Sequence, residues 1–363
     1  MTNKTFDPGK IVEESINKAL KQRGEVNILV AGKTGVGKST LINAVFQGNF
    51  ATTGQGKPVT LFTREIKKEG IPLTLFDTRG LELKEFETTI SELEKLIQSR
   101  RSESNPHRHI HAAWICIDEN SRRIEDAEIR LSELLSRYMP VIGVITKSFA
   151  DNGFRSKVQE LLPQTRNVVR VNSLPQQLDD GHIIRPFGLI ELVDVTMEVV
   201  PEGHQMAFAA AQKVSIQQKK NKAHGIVASS ATAAAAAGAT PIPFADATVL
   251  IPIQIGMLAG ITAVFGLDIK KSLLLTLLSS LITGTGATLL GRTIVANLTK
   301  FIPGAGSVTG GVISAATAST VTIAFGEAYI ATLEYLVARK ELADITSEDI
   351  IGEFKKRFQK KKK

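Results

Sequence analysis

The residues Gly32-Lys33-Thr34-Gly35-Val36-Gly37-Lys38-Ser39 have the form G-x-x-x-x-G-K-S, and Thr40 leads on from them. A loop of this kind holds a phosphate chain. Its glycines let the backbone wrap with N–H groups turned inward, and a following helix adds positive potential at its N-terminus. Lys38 would reach the β and γ phosphates, and the Ser39 hydroxyl would ligate magnesium. The context agrees, because an apolar run from Val26 to Ala31 precedes the loop and a helical pattern from Thr40 to Phe46 follows it. Nucleotide binding is the expectation.

A second set of residues suits the far end of a triphosphate. Asp77-Thr78-Arg79-Gly80 closes the apolar run Pro72 to Phe76, so Asp77 is expected to hold a magnesium-bound water and Gly80 to present its N–H to the γ-phosphate. Between the two motifs, Thr53 to Thr63 is glycine-rich without helical periodicity, which suits a switch segment. Thr60 is preferred over Thr63 as the threonine that closes on the metal. The expected metal set is therefore Ser39, Thr60 and Asp77, and the expected catalytic set is Lys38, Thr60 and Gly80. Leu81 stands where many GTPases place a water-orienting glutamine, so slow unassisted turnover is expected. Arg79 is expected to face solvent.

Base recognition would fall to Thr146-Lys147-Ser148-Phe149 and to Asn172-Ser173. The stem of Lys147 can pack on a guanine plane. The carboxylate that would accept the base's N–H groups is replaced by Phe149, and Asp151, two positions late, substitutes only if the loop bulges. His107, His109 and His111 lack the spacing of a metal site and are expected at the surface.

These residues need a frame. Short apolar runs at Val26–Ala31, Pro72–Phe76, Ala112–Ile117, Val141–Ile145 and Val168–Val171 alternate with helical stretches at Glu85–Arg101, Glu125–Tyr138 and Asn152–Leu162. The fold class expected is α/β, a P-loop G domain with a mainly parallel sheet and helices on both faces, followed by an all-α, Gly/Ala-rich hydrophobic domain. The boundaries read as an N-terminal amphipathic helix (1–24), the G domain (25–202), a basic helical connector (203–223), the hydrophobic helical domain (224–345) and a basic tail (346–363). The first helix, capped by Asp7 with Pro8 in its first turn, is expected to pack on the domain that follows it.

Charge is concentrated at one place. The 363 residues carry a net charge of +8, and the seven basic residues of Phe354–Lys363, with no acid among them, leave only +1 for the rest. Between Gly225 and Ile330 just seven residues are charged, and Ala, Gly, Ser and Thr allow helix backbones to approach closely. A single cysteine, Cys116, excludes an intramolecular disulfide and fits a reducing compartment. The opening MTNKTFDPGK lacks the apolar core of a signal peptide, so cleavage and secretion are not expected.

GKTGVGKS, PVT, DTRG and TKS resemble the motifs of bacterial GTPases related to the Era and TrmE class. Pro241-Ile242-Pro243-Phe244-Ala245-Asp246, Gln254 with Met257, and Ile302-Pro303-Gly304-Ala305-Gly306 resemble the C-terminal domain of the YcjF family. The resemblance spans roughly Val26 to Ala338. It implies GTP binding and hydrolysis with magnesium, coupled to a hydrophobic helical domain; similar glycine-rich helical partners occur in immunity-related GTPases that act on membranes. Gly35 replaces the Asn of potassium-stimulated relatives, so that mode of activation is not implied.

Uncharged windows of about 20 residues at 225–245, 247–267, 272–291 and 301–326 are long enough to span a bilayer, although the first is broken by Pro241 and Pro243. A helical bundle, soluble or reversibly inserting, is the alternative. The expected function is a GTP-hydrolysing switch acting on a helical domain that associates with membranes, located in the cytoplasm or at the inner membrane. Expected partners are GTP and GDP, anionic lipids attracted by the basic tail, and a second copy or an activating protein; nucleic acid is not expected. Two other readings stay open, a nucleotide-gated scaffold with negligible hydrolysis, and an ATP-using P-loop protein.

Overall fold

A computed structural model of the chain describes residues 7–50, 57–58, 60, 63–78, 86–238, 245–282 and 315–360. Helix α1 (Pro8–Arg23) opens the chain. Two compact units follow from its packing, residues 24–218 forming one, and residues 1–23 with 219–363 the other.

The first unit is built on a seven-stranded sheet in the order β2-β3-β4-β1-β5-β6-β7. Its strands are Val26–Ala31 (β1), Lys57–Pro58 (β2), Thr63–Lys67 (β3), Leu73–Thr78 (β4), Ala112–Asp118 (β5), Val141–Thr146 (β6) and Asn167–Arg170 (β7). Pairing is parallel from β4 through β7, and antiparallel where β3 joins β4 and β2 joins β3. The expected apolar runs all become strands. The two antiparallel strands were not among them, because Thr63-Arg64-Glu65-Ile66-Lys67 is polar at every position but Ile66 and forms no apolar run.

Helices cover both faces of the sheet. Helix α2 (Lys38–Val45) leaves the phosphate loop, and α3 (Phe86–Arg101), α4 (Asp126–Ser136) and α5 (Phe154–Leu161) bury Leu93, Ile97, Leu131, Leu135, Phe154 and Val158 against Leu29, Ile115 and Ile117. On the other face, α6 (Leu189–Val199) and α7 (Glu202–Ala211) complete the cover. There the indole of Trp114 stacks on Phe46 at 5.5 Å and donates to Thr196 Oγ1 at 3.1 Å. A strand buried on both faces reads as a continuous apolar run, and β1 is buried at every position.

The alternating histidines are not a surface feature. His111 is buried, its ring stacked on that of His204 at 3.6 Å, and its Nδ1 accepts the Asn27 N–H at 2.9 Å. Burial, reinforced by the neighbouring His204, lowers its pKa from 6.5 to about 3, so it is a neutral structural group. His107 and His109 are half-buried beside it.

In the second unit α1 packs on α9 (Ala245–Phe265) and α10 (Lys271–Ile282), not on the domain that follows it in sequence. Asp7 caps it as expected, its Oδ1 accepting from Gly9 N at 2.8 Å, while Val12 and Ala19 face the core and Leu20 stays exposed. Helix α8 (Ile216–Gly238), α11 (Ala315–Val337) and α12 (Ser347–Lys360) supply the rest. Small residues permit close approach here: a Cβ on Gly326 would lie 2.5 Å from Val227 Cγ2 and 2.9 Å from Met257 Sδ.

Three expectations for this region are corrected. Residues 346–363 are not a tail as far as they are described, because α12 buries Ile350 and Phe354, one helical turn apart, in the core of the unit. The connector is not one basic helix, since Lys213 lies between α7 and α8 and Lys219 is fully buried, its Nζ donating to Phe265 O at 3.0 Å. Among the described residues no helix is long and apolar enough to cross a membrane. The windows at 247–267 and 272–291 therefore carry no spanning helix among those residues. The Pro241–Phe244 and Ile302–Gly306 motifs, with residues 301–314 of the last window, lie outside the described residues.

Candidate nucleotide-binding site

The phosphate loop runs from the C-terminal end of β1 into α2. Strand β1 has β4 on one side and β5 on the other, so the chain after β4 crosses to the opposite side of β1. That crossing leaves a crevice at the carboxyl ends of the strands, the place where open α/β sheets receive ligands. Gly32 is required there. Its φ is 149°, and a Cβ would lie 2.5 Å from the Cys116 carbonyl oxygen on β5. Gly37, with φ 100°, precedes the first residue of α2.

Lys38 points back into the loop. Its Nζ donates to Gly32 O at 2.7 Å and to Lys33 O at 3.0 Å, which holds a positive charge at the centre of the wrapped backbone. Lys33 turns away, pairing with Glu125, the N-cap of α4, at 2.6 Å and with Glu128 on α4 at 3.4 Å, so its contribution to the loop is its backbone. Thr34, Gly35 and Ser39 are exposed, Lys38 and Thr40 are half-buried, and Val36 is buried beneath the loop. Cys116 lies under the same site, and burial raises its thiol pKa to about 12 in spite of the nearby Lys38, so it serves in packing and not as a nucleophile.

Asp77 stands beside the loop. The register of β4 on β1 pairs it with Val30, two residues before Gly32. Thr60 occupies a bend before β3, where its hydroxyl accepts the Thr63 N–H at 3.0 Å; Thr63 itself is buried in the strand. Gly80, with Arg79 and Leu81, lies outside the described residues, as does most of the expected switch, 53–56, 59 and 61–62.

The side of the crevice where base recognition was expected is formed by the loops after β6 and β7. The Thr146 hydroxyl is buried, 2.6 Å from Val36 O and 3.1 Å from Ile117 O, and so ties β6 to the phosphate loop. Lys147 adopts φ 51°, its Cε lies 3.9 Å from the place a Gly37 Cβ would take, and its Nζ pairs with Asp118 at 2.7 Å. Asn172 is buried and exchanges backbone hydrogen bonds with Phe187, while its side-chain Nδ2 has no hydrogen-bond partner among the described residues. Ser173 follows it, half-exposed, at the start of the next loop.

Glu119 is the residue that motif reading missed. It is 1% exposed, and its carboxylate accepts the backbone N–H groups of Phe149 and Ala150 and, at 2.7 Å, the Nε of Arg170 on β7. Burial alone would raise its pKa, but Arg170 and the Phe149 N–H outweigh that and hold it below the ordinary 4.5. The one sequence signal was an acidic residue directly after an apolar strand.

Comparison with known proteins agrees with this geometry. Residues 27–147 match the family model described as "50S ribosome-binding GTPase", a span that contains all of β1 but its first residue, the phosphate loop and Lys147. The chain thus carries a P-loop GTPase G domain. Among curated proteins, mouse Septin-9 is 27% identical over 163 residues, covering 38% of this chain and 28% of its own length. Magnetosome membrane protein 22 of Magnetospirillum gryphiswaldense is 26% identical over 130 residues, covering 36% of this chain and 65% of its own. The chain spans less than a third of the Septin-9 proteins it matches. Among solved structures, a probable GTP-binding protein engB aligns with 17% identity and a TM-score of 0.34, over 48% of this chain and 98% of the other.

Proposed function

We propose that the protein is a magnesium-dependent GTPase of the Era and TrmE kind, whose nucleotide state controls a membrane-associating helical unit of the YcjF kind. The observation that carries this is the inward-turned Lys38 ammonium in a loop that a GTPase family model matches. Backbone N–H groups of residues 32–40 would take the phosphates, with Lys38 at the β and γ positions. Ser39 and Asp77, hydroxyl and carboxylate on neighbouring elements, are hard oxygen donors suited to magnesium, and Thr60 stands on the segment that would bring a third. Magnesium, when bound, would neutralise charge developing on the phosphate oxygens. Gly80 would present its N–H to the γ-phosphate, and Leu81, which cannot orient water, leaves hydrolysis slow without a partner.

Coupling would run through α8, which begins in the unit that ends at residue 218 and continues into the other. A distant relative that bears the name of a magnetosome membrane protein supports association with a membrane, and the basic end of α12 suits anionic lipid. A scaffold that binds nucleotide with negligible hydrolysis is the second reading, and Leu81 favours it. Phosphate release by the full chain, with and without anionic vesicles and beside Lys38→Ala, tests the proposal. The expected unassisted rate is about 10⁻³ per second, typical of P-loop GTPases without an activator. It should rise with vesicles and vanish in the variant. Release unaffected by Lys38→Ala would overturn it.

A further inference from the structure

Three carboxylates near this side of the crevice, Asp118, Glu119 and Asp151, are engaged within the protein. Asp118 accepts Lys147 on Oδ2 at 2.7 Å, and the backbone N–H and side-chain amide of Asn120 on Oδ1 at 2.9 and 3.0 Å. Glu119 is buried under Phe149, Ala150 and Arg170. Asp151 caps α5, its Oδ1 accepting Arg155 N at 2.8 Å with Arg170 Nε at 3.6 Å, and its carbonyl is held by Arg122 at 2.6 Å. The loop does not bulge to bring Asp151 forward. It is pinned from both sides.

What the two loops present instead is apolar. Phe149 is 52% exposed and Leu174 is 57% exposed. They stand on adjacent loops, rooted together by the hydrogen bond from Ser148 N to Val171 O at 3.1 Å. Phe149 is two residues from Lys147, whose stem lies against the phosphate loop. The apolar pair therefore stands on the two loops that neighbour the phosphate loop through Lys147. A flat aromatic ring attached to phosphates held at residues 32–39 would cover it, and base–aromatic stacking does not depend on exocyclic groups.

We infer that Phe149 and Leu174 hold the purine of the bound nucleotide by stacking and apolar contact, and that the site does not read the guanine 2-amino group. This rests on the nucleotide-binding reading above. A site built to hydrogen-bond an N–H group rejects the analogue lacking it by about 10⁴-fold, because its own polar partner is left unpaired. With Asp118, Glu119 and Asp151 all held within the protein, none of them is presented to a base, and that penalty is missing. Hypoxanthine nucleotides should bind as guanine nucleotides do.

The experiment is displacement of a fluorescent guanosine diphosphate from the full chain by GDP and by IDP. Native protein should bind both within about threefold, because the group that differs meets no acceptor. Phe149→Asp should restore a preference for GDP over IDP of at least about thirtyfold, the order of a hydrogen bond to a charged group. Phe149→Leu, which keeps an apolar surface, should leave the ratio near one. A native preference above about a hundredfold would overturn the inference, whereas binding of neither diphosphate would overturn the nucleotide reading itself. A strong preference lost in Asp151→Asn would show that the displaced carboxylate reaches the base, and would also overturn it.

Discussion

The phosphate half and the base half of the crevice are held by different means. The phosphate half is fixed by backbone geometry: Gly32 lies where any side chain would meet the Cys116 carbonyl, Gly37 turns the chain into α2, and Lys38 ties back to two carbonyls. The base half is fixed by side chains distant in sequence, with Glu119, just after β5, and Arg170, on β7, clamping the loop that carries Phe149. Backbone geometry demands particular residue types at fixed spacing, so it is written locally. A long-range ion pair is not. On this contrast, affinity for phosphates and selectivity for the base are expected to be separable by mutation.

The largest expected effect breaks the base half alone. Glu119→Ala would leave Arg170 and two backbone N–H groups without their partner in a buried site, and should cost about 3 kcal/mol of stability, measured by urea unfolding. Affinity for tripolyphosphate, which has no base, should stay within a few-fold. Equal loss of phosphate binding would mean the two halves are one cooperative structure. The Glu119 contribution is also pH-dependent: with a folded pKa below 4.5, it is fully present above that pH and is lost as the pH falls through the folded value.

A second effect comes from the opposite, N-terminal end of the strands. His111 has a pKa of about 3 when folded against 6.5 ordinarily, so the unfolded chain binds a proton first. Stability is full above pH 6.5 and declines as the pH falls towards 3. The slope is at most about 1.4 kcal/mol per pH unit for one group. His111→Asn should flatten the decline in denaturation midpoints between pH 6.5 and 5, which separates this effect from the Glu119 contribution at lower pH. An unchanged slope would assign the decline to other groups.

The smallest effect tests the link between the halves. Thr146→Val removes the hydroxyl that joins β6 to the Val36 carbonyl, and should cost about 1 kcal/mol, the worth of a typical buried hydrogen bond. Nucleotide affinity should fall by about fivefold, for GDP and tripolyphosphate alike. A loss seen with GDP alone would place Thr146 wholly in the base half.

The same division decides what could be read from the sequence. The P-loop, the five apolar strands and the covering helices α3 to α5 were legible because each depends on local spacing or periodicity. Strand β3 was not, since its antiparallel pairing with β4 arises from Thr63 to Lys67, where only Thr63 is buried. Seven basic residues near the C-terminus masked the Ile350 and Phe354 stripe that makes α12 a packed helix. His111 looked polar and exposed, yet its partners, Asn27 and His204, come from 84 residues upstream and from α7 downstream. The missing carboxylate at Phe149 was visible at once; the buried Glu119 that shapes that loop could be seen only in three dimensions.

The central claim is that phosphate contacts through Lys38 supply the binding. Calorimetric titration of GDP into the full native chain and into Lys38→Ala measures it. A charge-assisted contact at this position should make the variant bind about a hundredfold more weakly, with its circular dichroism unchanged. Equal affinity in the two proteins would contradict the account.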